Sequence, residues 1–257
     1  MVDYRHISSE TRPRREPIIN VPPVLLWLLA AMWGAFGVLS LLPARLVFQF
    51  DTLIALSPQR LVEGAAGEGG YFGFIAPLFT HMFVHADLMH ITVNSLWFLA
   101  FGSPVLRRLT QFGQERPGFL TNFQGPRPSA YASLLFLVFY LLCGVGASLF
   151  FVALNMQEPA LLVGASGAVS GLLGGLVLFI GRRRHAFTRG YRPLAGLTDP
   201  IVVVWVVVMI GFNVVTGVFD IGVDPNGPKI AWEAHVGGFI VGLLTFPVFD
   251  RLARLAE

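Results

Sequence analysis

Charge is what this sequence lacks most. Only 13% of its 257 residues are Asp, Glu, Lys or Arg, while 54% are hydrophobic and the mean hydropathy is +0.67. A soluble domain of this length carries about twice that share of charge. The composition therefore excludes an ordinary soluble enzyme and indicates an integral membrane protein. Cysteine is nearly absent as well. Cys143 stands alone inside an apolar run, which excludes an intramolecular disulfide. There is no low-complexity tract and no internal repeat, so nothing suggests the repeat-related broken helices of a transporter.

What is present is a set of long apolar runs. A run needs about 20 residues to cross a ~30 Å hydrocarbon core. Six qualify: residues 24–42, 88–106, 130–154, 164–181, 200–219 and 231–249. Asp87 suits the N-cap of the second, and Asp199-Pro200 reads as cap plus first-turn proline for the fifth. The first run is too long for a cleaved signal peptide and lacks a small-residue cleavage site, so it reads as a span. The fold class is thus an all-α membrane protein, a polytopic bundle of six transmembrane helices.

The arginines orient it. Arg5, Arg12, Arg14 and Arg15 precede the first span, and Arg107, Arg108, Arg116 and Arg127 follow the second. Arg182, Arg183, Arg184, Arg189 and Arg192 follow the fourth, and Arg251 and Arg254 follow the sixth. These are 15 of the 18 basic residues; only Arg45, Arg60 and Lys229 fall on the other side. The positive-inside rule then makes both termini cytoplasmic. It also explains the pI near 9.4 without nucleic-acid binding, so the lipid bilayer is the partner this charge implies. The expected layout is a cytoplasmic segment 1–23, a membrane domain 24–250 and a cytoplasmic tail 251–257. A long external loop spans residues 43–86, and its aromatic stretch 71–84 is too short to cross, which suits the interface.

Polar residues inside spans are expensive, so each one is a functional hypothesis. The second span holds His90 and Asn94, the fourth Ser166 and Ser170, the fifth Asn213, and the sixth Glu233 and His235. Spans two, four and six all enter from the outer face. At about 1.5 Å rise per residue, His90, Asn94, Ser166 and His235 lie within roughly 5–12 Å of that boundary. Gly164, Gly167, Gly171 and Gly174 on span four, and Gly238 and Gly242 on span six, form small stripes that let helices approach closely. The simplest packing brings Ser166 near His235.

That set of groups suits acyl transfer. A serine hydroxyl is a weak nucleophile until a neighbouring base takes its proton, and a histidine can do so and later protonate the leaving amine. The free N–H groups opening span four, with His90 and Asn94, can stabilise an oxyanion. Glu233 is two positions from His235 and points to another face, so a Ser–His dyad is expected. Asn213 reads as an interhelical hydrogen bond. His81, His85, Asp87 and His90 do not have the H-E-x-x-H spacing of a metalloprotease, and no metal or other cofactor is expected. Asp220 and Asp224 share one short loop, unlike paired aspartates on facing spans.

Three motifs in order resemble the rhomboid family of intramembrane serine proteases. Gly164-Ala165-Ser166-Gly167 resembles its G-x-S-G, Ala234-His235-Val236-Gly237-Gly238 its A-H-x-G-G, and His90-Ile91-Thr92-Val93-Asn94 its H-x-x-x-N. A run from Thr80 through His81 to His85 precedes the last of these, and the resemblance covers roughly residues 74–245. It implies Ser166 as nucleophile and His235 as general base. His90, Asn94 and the Ser166 backbone would form the oxyanion site, with Gly164 allowing close approach. It further implies transmembrane protein substrates cut near the outer face, and a multi-pass place in a bacterial inner membrane. Two features depart from the family pattern. No Trp-Arg pair occurs between Pro43 and Ala86, and Ser170 stands where many members carry an aromatic residue. A rhomboid-like binder that holds transmembrane helices without cutting them is the other function class; loss of the serine or histidine would signal it, and both are present.

Overall fold

The computed structural model describes residues 21–43, 45–47, 54–64, 70–110, 128–156, 160–180, 193–219 and 230–255. Most of the arginines on which the expected orientation rests, together with Asp220 and Asp224, lie outside the described residues. Six principal helices run through it: α1 (Pro23–Leu41), α2 (Leu88–Thr110), α3 (Ala130–Leu154), α4 (Ser166–Ile180), α5 (Pro200–Val218) and α6 (Trp232–Leu255). All but α4 are long and apolar enough to cross a membrane. Among the described residues the only β pairing is an isolated antiparallel bridge between Leu56 and Leu162.

The helix starts follow local chemistry. The Asp87 carboxylate accepts from the His90 N–H at 2.7 Å, capping α2. Ser129 accepts from Ala132 N–H at 3.0 Å ahead of α3, and Asp199 from Ile201 N–H at 3.1 Å ahead of α5, whose first residue is Pro200. The helix ends are less regular. α2 and α6 continue past the apolar runs, to Thr110 and Leu255, because a helix stops where hydrogen bonding fails and not where hydropathy falls. Their polar ends meet each other instead: Arg108 donates to Asp250 at 2.7 Å, and Asp250 is fully buried. A buried carboxylate requires such a partner.

The centre of the bundle is α4. Twelve of its 15 residues are buried, and it packs against α2, α3 and α6. At about 1.5 Å per residue it is roughly 22 Å long, short of a ~30 Å core. Enclosure by longer helices makes this tolerable. The large apolar core includes Phe98, Phe136, Phe139, Tyr140 and Phe246. Around it, Trp27, Leu41, Val207 and Phe212 point outward. So much exposed apolar surface is at home in lipid and not in water. The least embedded helix is α5, whose buried residues are Val202 and Asn213.

Between α1 and α2 the aromatic stretch forms short helices, Gly70–Ile75 and Pro77–Thr80, then a 3-10 turn at His81–Phe83. Tyr71 and Phe72 are exposed there. The Thr80 hydroxyl donates to Ile54 O at 2.7 Å, and paired backbone bonds join Leu56 to Leu162. The loop before α4 is thereby tied to the segment that follows α1.

Candidate active site

The chain reaches α4 through a sharp turn at Gly164. Its φ is +107°, a conformation that side-chain-bearing residues rarely adopt. A Cβ there would also lie 2.6 Å from His90 Nε2. The Gly164 N–H donates to His81 O at 2.8 Å, and the His81 ring donates from Nδ1 to Pro77 O at 2.8 Å. The turn is thus fixed from two sides, and the helix begins at Ser166 and not at 164. Ser166 is the first helical residue, where backbone N–H groups have no partner four residues back and the dipole is positive.

Glycines bring α6 against α4. A Cβ on Gly171 would lie 2.9 Å from Gly238 O, and one on Gly238 or Gly242 would collide with the carbonyl of Gly167 or Gly171. The two backbones touch over two turns, with no side chain between them. This seating puts Ser166 Oγ 2.8 Å from His235 Nε2. Both residues are partly exposed.

On the far side of the ring, His235 Nδ1 lies 2.8 Å from Asn213 Oδ1 on α5. The interhelical hydrogen bond expected of Asn213 is thus present, and the partner that the sequence did not name is His235. Glu233 faces away and accepts from Asn155 Nδ2 at 3.2 Å.

The structure also brings His90 and Asn94 to this end of the bundle. Both border Gly164, with Asn94 Nδ2 3.7 Å from where a Cβ on Gly164 would be. One Asn94 amide proton goes to His90 O at 3.0 Å. His90 meets the His85 ring edge-on, centroids 5.1 Å apart. Neither ring nitrogen of His85 has a hydrogen-bond partner among the described residues. No group of three or more His, Cys, Asp or Glu that could hold a metal ion occurs among them either.

His81 and His85 lie before α2, and burial lowers both pKa values from 6.5 to about 4; for His85, repulsion from His90 adds to burial. Above pH 6.5 both rings are neutral folded or unfolded and cost nothing. Between 6.5 and about 4 the unfolded chain takes up protons that the folded chain refuses, so stability falls as pH falls. Unfolding in detergent micelles should therefore become easier from pH 7 to pH 5, and less so in a His81→Leu/His85→Leu variant. An equal pH slope in the two proteins would contradict this.

Comparison with known proteins agrees with the motif order. Residues 73–251 match the family model of the rhomboid domain. The Rhomboid protease GlpG of Serratia proteamaculans (strain 568) is 33% identical over 171 residues, 64% of this chain and 45% of that protein. The RHOMBOID-like protein 1 of Arabidopsis thaliana is 27% identical over 172 residues, 67% of this chain and 34% of that protein. The chain thus spans less than half the length of these curated relatives.

Proposed function

This chain belongs to the rhomboid family, and from that premise we propose that it is an intramembrane serine endopeptidase that cuts transmembrane proteins near the outer face. The observation that carries the reading is the 2.8 Å contact between Ser166 Oγ and His235 Nε2. The hydroxyl proton passes to Nε2 as Oγ attacks the scissile carbonyl carbon. The tetrahedral oxyanion takes hydrogen bonds from the Ser166 N–H and from His90 and Asn94. Gly164, with no side chain, leaves room for it. The imidazolium then protonates the departing amine, and water, deprotonated by the same histidine, hydrolyses the acyl ester. No step requires a metal or other cofactor.

The substrate class follows from depth. A helix hides its carbonyls in internal hydrogen bonds, so a bond can reach Ser166 only where the substrate unwinds. Small or helix-breaking residues near its outer end lower that cost. The arginine bias supports a chain with both termini cytoplasmic.

The test is covalent labelling. A fluorophosphonate should modify Ser166, identified by mass spectrometry, in protein that cleaves a reporter transmembrane substrate. Label on another residue of cleaving protein overturns the nucleophile. Stable binding of transmembrane helices without cleavage or label would favour the non-proteolytic reading.

A further inference from the structure

We propose that Asn213 is a positioning residue for the reaction, holding His235 in the one tautomer that activates Ser166 and doing so only while α5 is seated on α6. The inference rests on the protease reading above.

Asn213 Nδ2 donates to Met209 O at 2.8 Å, with Met209 Sδ 3.4 Å away. A flipped amide would set its oxygen against that carbonyl oxygen. The amide orientation is therefore fixed, and Oδ1 is the atom facing His235 Nδ1 at 2.8 Å. An oxygen there can only accept, so Nδ1 carries the proton. A neutral imidazole has one N–H. Nε2 is left with its lone pair, directed at Ser166 Oγ at 2.8 Å. The other tautomer would oppose two lone pairs at Nδ1 and offer Ser166 a donor instead of a base. The amide thus selects the reactive form, as a hydrogen bond to the second ring nitrogen does generally.

Position strengthens the case. Asn213 is 4% exposed on a helix whose other buried residue is Val202. An amide at membrane depth is costly and is retained where it is used. One turn further along α5, a Cβ on Gly217 would overlap the Trp232 ring. Asn213 and Gly217 thus form one strip of α5, facing His235 and Trp232 at the start of α6. Displacing α5 outward removes the Trp232 seat and the Nδ1 acceptor together.

Three variants and one measurement on the unaltered protein test this in micelles with the reporter substrate. Asn213→Leu keeps the branched four-atom side chain and loses the acceptor; kcat should fall about 10²-fold or more, with KM changed less than about threefold. The rate of fluorophosphonate labelling at Ser166, which needs no substrate entry, should fall in parallel. Asn213→Asp, kept as the neutral acid by burial, can donate its O–H to Met209 O where the amide did and keep an acceptor at Nδ1, and should stay within about tenfold of the parent. Gly217→Val, which touches neither Ser166 nor His235, should lower kcat by unseating α5. Ring-¹⁵N histidine spectra of the parent, assigned against His235→Ala, should show protonated Nδ1 and bare Nε2. Parental kcat and labelling in folded Asn213→Leu, or a proton on Nε2, overturns the inference. Failure of the parent itself to cleave or label overturns the protease reading instead.

Discussion

Ser166→Ala should lower the rate of cleavage of a transmembrane reporter by at least about 10⁴-fold, with binding of that reporter little changed. Removing the nucleophile of a serine–histidine pair leaves only oxyanion stabilisation and positioning, and the loss commonly reaches 10⁴ to 10⁶. A factor of 10⁴ is about 5.5 kcal/mol of transition-state free energy. A structural serine would behave otherwise, because deleting one hydroxyl at a helix start costs about 1 kcal/mol of stability and leaves rates alone. His235→Ala should cost a similar factor. The double variant should be no worse than either single one, because Ser166 and His235, 2.8 Å apart, act as one unit. Cleavage by Ser166→Ala within tenfold of the parent would rule out its role. Losses that multiply in the double variant would mean that the two residues act separately.

The second large effect is structural. Gly242→Leu should destabilise the fold by about 3 kcal/mol or more, while Gly37→Leu should change stability by no more than about 0.5 kcal/mol. A Cβ on Gly242 collides with the Gly171 carbonyl, whereas one on Gly37 meets nothing within 4 Å. Overpacking against side chains is eased by new rotamers. Overpacking against a helix backbone is eased only by moving the helix, which pulls apart the contacts along α4 and α6. Activity should fall with stability, because the same seam holds Ser166 against His235. Chemical or thermal unfolding in micelles measures both variants. Equal stability for the two would show that close α4–α6 contact is dispensable.

Much of this was legible along the chain. Six apolar runs gave six helices, and Asp87 and Asp199 cap the two helices they were expected to cap. The glycine spacing on the fourth and sixth runs anticipated the seam. Three helix ends differ for physical reasons. α4 starts two residues late because Gly164 at φ +107° cannot be helical. α2 and α6 run on because Arg108 and Asp250 neutralise each other where a hydropathy window sees only charge. That pair joins residues 142 positions apart, and no local pattern forecasts it.

The sequence by itself determined the membrane class, the six apolar helices, and the residues Ser166, His235, His90 and Asn94 as a candidate group; that the fourth helix is shorter than a span emerged only in the structure. Apolar length and polar residues within apolar runs are properties of single segments, so they can be read along one dimension. The tertiary structure alone decided that Asn213 faces His235, that His81 O holds the Gly164 turn, and that Glu233 turns away to Asn155. Each of these depends on how far two helices are rotated about their own axes and how closely they approach. Backbone contact at glycines sets both quantities, and periodicity within one helix carries no information about its neighbour's rotation.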